Sequence, residues 1–232
     1  MVFGIIGAID EEVAGLKSKM EIIETKTVAG CTFFRGKLQG KDIVLVKCGI
    51  GKVNAALCTQ ALIDGFSPGC VINIGAAGNM SDELGIGDVV VSTDLVQHDF
   101  DASAFGKYEI GTISQLGVRF FKADTGLINA ALKASIDGHK IHKGRIATGD
   151  QFIADESRKE RIKTLFEPLC VEMEGAAIAH VCYLNEVPFV VIRSISDNSD
   201  GSADISFEKF ILLAAKNSSL IVEEIVKGYK GG

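Results

Sequence analysis

Glu12, Glu174 and Asp197 are acids in apolar settings, and such acids are the side chains that move protons near neutral pH. Glu12 follows the apolar run Val2 to Ile9 by a few positions, which places its carboxylate near the carboxyl end of a predicted strand. A solvated helix N-terminus would explain the cluster Asp10-Glu11-Glu12 equally well, through the helix dipole. Val171-Glu172-Met173-Glu174-Gly175 sets two acids around a methionine, between a predicted strand and a strongly apolar helix. Ser194-Ile195-Ser196-Asp197-Asn198 closes the most hydrophobic strand of the chain, and Arg193 stands inside that strand. A lone buried charge is prohibitive, so Arg193 must either form a structural ion pair or face a ligand.

Other chemistries fit poorly. Gly49-Ile50-Gly51-Lys52 is not a phosphate loop, because the earlier glycine is absent and Val53 replaces the Ser or Thr. No GxGxxG follows the first strand, which argues against a nicotinamide or flavin enzyme. Gly75-Ala76-Ala77-Gly78 ends a predicted buried strand, where glycine permits either a sharp turn or close approach of a ligand. Ligands of open α/β sheets bind beyond the carboxyl ends of the strands, which favours the second reading. His98, Asp99 and Asp101 could meet a cation, but no HExxH, Cys/His zinc spacing or GxSxG elbow is present. His139 and His142 are expected to be exposed, and no metal or cofactor is expected.

The chain that must position these groups has 232 residues and a net charge of −6, a poor footprint for nucleic acid or an anionic membrane. Size scaling gives roughly 10,000 Å² exposed when folded against about 36,000 Å² unfolded, enough burial for a core without disulfides or metals. No apolar stretch approaches the ~20 residues of a spanning helix, and the N-terminal apolar run leads straight into acids, unlike a signal peptide. Six cysteines (31, 48, 58, 70, 170 and 182) form no CxxC and read as buried thiols in a reducing cytoplasm.

Regular glycine punctuation separates the predicted elements. Strands are expected at 2–8, 32–38, 42–48, 70–76, 88–94, 144–148, 169–171 and 188–195. Helices are expected at 11–20, from the Gly49 turn to 66, and at 127–136, 156–166 (solvated), 174–185 and 206–226, the last capped by Ser206. Apolar strands alternating with helices imply a mostly parallel buried sheet covered on both faces. Strand-rich stretches near 22–48 and 88–100 add antiparallel pairing. The expectation is a single α/β domain over 1–232, with a mixed central β-sheet flanked by helices. Residues 99–124 are its long functional loop, and Phe100, Phe105, Phe120 and Phe121 supply aromatic surface for an interface.

Taken together, these blocks become specific. Gly4-Ile5-Ile6-Gly7-Ala8 with Glu11-Glu12, Gly49 to Val53, Gly75 to Gly78, Gly149-Asp150-Gln151-Phe152-Ile153, Val171 to Glu174 and Arg193 to Asp197 occur in the order and spacing of one family. Over nearly its whole length the sequence resembles the bacterial 5'-methylthioadenosine/S-adenosylhomocysteine nucleosidases of the nucleoside phosphorylase superfamily. The resemblance implies hydrolysis of the N-glycosidic bond of 5'-thioadenosines to adenine and a 5-thioribose, in methionine salvage, by a cytoplasmic homodimer. It implies that Glu12 activates the water, Asp197 protonates adenine N7 and Glu174 holds the ribose hydroxyls. Phe152 would stack on the purine, with the Ile153 backbone at its edge and Met173 against the ribose. Ile50, Phe207 and, from a neighbouring subunit, Phe105 would line the 5' pocket. Ala8, Ile9, Ala76, Gly78, Glu172, Arg193 and Ser196 complete the expected substrate-binding set. Ala76 replaces a small hydroxyl residue of many relatives, and Ile9 a common Met, which should tune affinity.

The implied chemistry suits these residue types. Cleavage builds oxocarbenium character on the sugar and negative charge on the departing base. An acid kept neutral by burial answers the second, and ionised carboxylates the first. A phosphorolytic relative would supply arginines for phosphate where this chain has Asp10-Glu11-Glu12 and Asn73. A non-catalytic nucleoside sensor would not require a proton donor together with a water base.

Overall fold

The computed structural model describes residues 1–197 and 203–231, the side chains of 203–209 excepted. Five strands form a ring at its centre. β5 (Cys70–Asn79) runs parallel to β10 (Phe189–Ile195), which pairs antiparallel with β6 (Val89–Gln97). β6 runs parallel to β8 (Ile141–Thr148) and β8 to β9 (Cys170–Glu172), and β9 returns antiparallel to the far end of β5. β5 also starts an open wing, because β1 (Phe3–Gly7) lies parallel to both β5 and β4 (Lys41–Lys47). β3 (Cys31–Leu38) and the edge strand β2 (Glu21–Val28) continue it antiparallel. A two-residue strand, β7 (Phe121–Lys122), pairs with β6. The sheet is mixed, as the alternation of apolar and half-polar segments requires.

Helices cover both faces. The terminal α6 (Ala203–Gly228) packs on β5 and β10 and against α1 (Asp10–Lys19) and α3 (Thr125–Ala131). α5 (Gly175–Leu184) packs on β6, β8 and α2 (Lys52–Phe66). α4 (Glu156–Phe166) closes a second, smaller core of Met80, Val96, Ala147, Ile153, Ile162, Phe166 and Val171. β10 is buried along its entire length and β2 is exposed along nearly all of its own. Glu21, Glu24 and Lys26 keep that free edge charged, which discourages strand addition. The accessible surface, 10302 Å², is close to what size scaling gives for this mass.

Several expectations shift in detail. β5, β6 and β8 extend beyond the strands expected at 70–76, 88–94 and 144–148. The helix expected at 127–136 stops at Ala131 and begins earlier, where the Asp124 side chain accepts from Leu127 N at 2.8 Å. α6 begins at Ala203, so Ser206 lies within the helix and is not its N-cap. Lys159, on the helix expected to be solvated, is only 1% exposed. His139 and His142 are half-buried, His142 Nε2 lying 3.6 Å from Asp88, so neither is exposed as expected.

The aromatic loop is also redistributed. Phe121 is core at 1% exposure, while Phe100 and Phe120 are half-buried against the two apolar clusters, so only Phe105 of the four is left exposed, at 75%. The loop is held down by Arg119, whose Nε donates to Ile110 O and Nη2 to Leu165 O, and by Gly111 N donating to Phe100 O at 2.7 Å. Gly111 has φ 87°, and a Cβ there would lie 2.8 Å from Val96 and 2.9 Å from Phe166. Gly111→Ala should therefore combine left-handed strain with overpacking, costing about 2–3 kcal/mol. That is a fall in Tm of roughly 4–12 °C, and an unchanged Tm would show that the loop is not locked at this point.

Candidate active site

The carboxyl ends of β1, β5, β9 and β10 open on one cavity of about 180 Å³. Glu12 reaches it as the third residue of α1. Its Oε2 accepts from the backbone of Ala8 at 2.6 Å and Ile9 at 3.3 Å, and its Oε1 from Ala76 N at 3.1 Å. Of the acidic cluster, Asp10 and Glu11 face solvent, Asp10 pairing with Lys47, and Glu12 alone is buried, at 5%. The helix-dipole reading thus accounts for two acids and the site reading for the third.

Glu172 and Glu174 arrive from the short strand β9 and the turn into α5. Glu172 Oε2 accepts from the first amides of the helix, Glu174 N at 3.0 Å and Gly175 N at 2.7 Å. Oε2 also accepts from Arg193, through Nε at 3.1 Å and through Nη2. Glu174 Oε1 accepts from Gly51 N at 2.9 Å, and its Oε2 lies 3.6 Å from Arg193 Nη2. Arg193 also donates to Asn73 Oδ1 at 2.7 Å, and Asn73 in turn donates to Ile6 O. Arg193 Nη1 has no hydrogen-bond partner among the described residues. A Cβ on Gly75 would lie 2.7 Å from that nitrogen and 2.6 Å from Glu12 Oε1, so the missing side chain lets the cation and the carboxylate converge there. Arg193 therefore forms the buried ion pair that its sequence context allowed; it is not among the residues lining the cavity, and its Nη1 lies over Gly75 beside Glu12.

Burial governs the electrostatics. It pushes the Glu12 carboxyl above the usual range, opposed by the Arg193 charge and by the three backbone donors. Burial, reinforced by Glu172, pushes Glu174 up to about 7, with Arg193 and the Gly51 amide opposing. Arg193 loses from burial but is held above its ordinary value by Glu172, Glu174 and Glu12, so it stays charged. Asp197 is 3% exposed just beyond β10, with its Oδ1 accepting from Asn79 N at 3.0 Å.

Most of the other expected residues line the same cavity, but Arg193 is not among them. Ala8, Ile9, Ile50, Ala76, Gly78, Phe152, Ile153, Glu172, Met173 and Ser196 line it. Ala76 offers only its methyl and its backbone donor, and Ile50 and Phe152 stand at the mouth, 56% and 51% exposed. Phe105 lies outside the cavity of its own chain, and the Phe207 side chain lies outside the described residues. Asp99 serves the site's scaffold. It takes Lys52 Nζ at 2.7 Å and Asp150 N at 2.9 Å, while Asp150 Oδ1 accepts from Lys52 N. Among the described residues no group of three or more His, Cys, Asp and Glu is placed to hold a metal ion.

Sequence reasoning missed Thr148, Asn73 and the Lys52–Asp99–Asp150 brace. Each is an ordinary residue in sequence, made relevant only by strand register or loop contact. The one available signal was a polar residue, Asn73 or Thr148, inside or at the end of a strand expected to be buried.

Comparisons with known proteins show the family. Residues 2–227 match the phosphorylase superfamily. A 5'-methylthioadenosine/S-adenosylhomocysteine nucleosidase of Psychromonas ingrahamii is 49% identical over 97% of this chain and 98% of its own. The crystal structure of a nucleosidase of the same name from Colwellia psychrerythraea, in complex with adenine, superposes with a TM-score of 0.95. It is 42% identical and covers 100% of this chain and 96% of that one. A futalosine hydrolase of Helicobacter pylori is 34% identical with a TM-score of 0.91, covering 98% and 97%. The chain belongs to the 5'-methylthioadenosine/S-adenosylhomocysteine nucleosidase family of the phosphorylase superfamily.

Proposed function

We propose that this protein hydrolyses the N-glycosidic bond of 5'-methylthioadenosine and S-adenosylhomocysteine, and of 5'-deoxyadenosine, releasing adenine and the 5-substituted ribose. The observation that carries the reading is the placement of Glu12, Glu174 and Asp197 on the same cavity, with Arg193 Nη1 behind them, where it and Glu12 Oε1 converge over Gly75. Asp197 gives its proton to adenine N7, so the base leaves neutral as the N9–C1' bond breaks. Glu12 takes a proton from a water held between its carboxylate and Arg193 Nη1, and the water oxygen bonds to C1'. Glu174 grips the ribose hydroxyls and, with Glu12, stabilises the positive charge that grows on the sugar. Phe152 stacks on the purine, Ile153 presents backbone groups to its edge, and Met173 packs against the ribose.

Phosphorolysis finds no support at this site. Asp10 and Glu11 occupy one place where a phosphate would need cations, and Asn73, already bonded to Arg193, occupies the other. Purified protein given methylthioadenosine should release adenine at a rate unaffected by phosphate, with free methylthioribose as the sugar product. A sugar 1-phosphate would contradict hydrolysis, and no adenine release would favour a sensor. Methylthioadenosine should be cleaved more efficiently than adenosine, because burying the methylthio group beside Ile50 gains on the order of 1–2 kcal/mol. Aminofutalosine belongs in the same substrate series, given the likeness to a futalosine hydrolase.

A cytoplasmic homodimer is part of this reading. All six cysteines are buried free thiols, which suits a reducing compartment, and no helix among the described residues is long and apolar enough to cross a membrane. Ile50, Val53 and Leu57 at the start of α2 are 56%, 78% and 49% exposed, and Phe105 is 75% exposed. An apolar group of this kind beside a pocket marks a contact surface, with Phe105 reaching the neighbour's 5' pocket. Light scattering should give the mass of two chains. Phe105→Ala should raise KM for methylthioadenosine several-fold while the mass stays dimeric. A single-chain mass with full activity at nanomolar protein would overturn the claim.

A further inference from the structure

Thr148 ends β8, in register with Glu172 on the neighbouring β9, and is completely buried. Its hydroxyl donates to Glu172 Oε1 and accepts from Ala176 N at 2.8 Å. Glu172 is thereby fixed through both oxygens, Oε1 by Thr148 and Oε2 by the Glu174 and Gly175 amides and by Arg193. With Glu172 held, and Asn73 accepting from Nη2, the guanidinium is fixed, and Nη1, without a hydrogen-bond partner among the described residues, stays over Gly75 beside Glu12.

We propose that Thr148 is a positioning residue of the reaction: by locking Glu172 it holds Arg193 Nη1 where the attacking water must lie. The inference rests on the hydrolytic reading above. Thr148 itself touches neither water nor nucleoside, and it is not among the residues lining the cavity. Its effect is carried through the carboxylate to the cation. The adenine end of the cavity, with Phe152, Ile153 and Asp197, depends on neither bond. Loss of the hydroxyl should therefore leave ground-state binding largely intact and weaken the step in which water attacks.

The charged and titratable groups around Arg193 fix the sign of the pH effect. They are Glu12 from α1, Glu172 and Glu174 from β9 and the turn beyond it, the Cys170 thiol at the start of β9, and the Cys48 thiol past β4. Arg193 is the cation that lowers the Glu12 carboxyl against its burial. A guanidinium that can drift away opposes burial less, so Glu12 protonates at higher pH and the acidic limb of kcat/KM moves upward.

The test is a series, Thr148→Ser, Thr148→Cys and Thr148→Val, assayed on methylthioadenosine beside the unaltered protein. Serine, which keeps the hydroxyl, should restore kcat to within about twofold. The valine variant should lose about tenfold or more in kcat, with KM within about twofold and the acidic limb raised by roughly half a unit. Cysteine, a weak donor that fits the same space, should fall between and keeps the test decisive if the valine variant does not fold. A lowered Tm with unchanged kcat and unchanged limb across the series would make Thr148 purely structural and overturn the proposal. Failure of the unaltered protein to hydrolyse would instead overturn the hydrolytic reading, so the two outcomes are distinguishable.

Discussion

A guanidinium in the middle of a fully buried strand constrains everything around it. Arg193 is 1% exposed, and removing one partner of a buried pair costs about 3–5 kcal/mol, so β10 can lie at the centre only if a carboxylate is delivered to it. Glu172 is that carboxylate, and its delivery requires β9, a three-residue strand that exists because β5 and β8 extend far enough to hold it. The ring of five strands, the α5 N-terminus and the Gly75 gap all converge on this one pair. The same cation lets three glutamates crowd one cavity. It opposes the burial that drives Glu12 and Glu174 toward their neutral forms and is itself held charged by them.

The acids are divided by what holds them. Glu12 and Glu174 accept from backbone amides and feel Arg193, which oppose the burial that still raises both carboxyls. Asp197 lines the same cavity and also accepts from a backbone amide, that of Asn79, but Arg193 is not held by it as it is by the three glutamates. Acid and base chemistry on one nucleoside asks for carboxyl groups in such different surroundings. Ala76 meets Glu12 through its backbone amide, so that contact does not depend on the side chain at this position.

Much of this was legible in the sequence, and the reason is periodicity. The apolar runs of β1 and β10 and the helix of α4 have the composition of their environment, and α4 spans the same residues, 156–166, in both readings. Boundaries moved where partners decided them. β8 grew back to Ile141 because β6 offered it backbone partners, and α3 ended early at Ala131. Glu12, Glu174 and Asp197 stood out as charges in apolar company. Thr148, Asn73 and the Lys52–Asp99–Asp150 brace did not, because a hydroxyl, an amide or a surface ion pair acquires meaning only from what lies across the sheet or loop. The phenylalanines of residues 100–121 misled for the same reason: aromatic composition does not say which side of the chain is covered, and three of the four turn inward.

The proposed mechanism stands or falls on Asp197 as the acid that frees adenine. Asp197→Asn keeps the shape of the side chain but has no proton to give to N7. The decisive measurement is the turnover rate on methylthioadenosine, together with adenine affinity and Tm, for that one variant. If Asp197 is the acid, turnover should slow by about 10²–10⁴-fold, or roughly 3–5 kcal/mol, with adenine binding and Tm little changed. A variant that turns over at near the normal rate but melts at a lower temperature would assign Asp197 to the scaffold and contradict the mechanism.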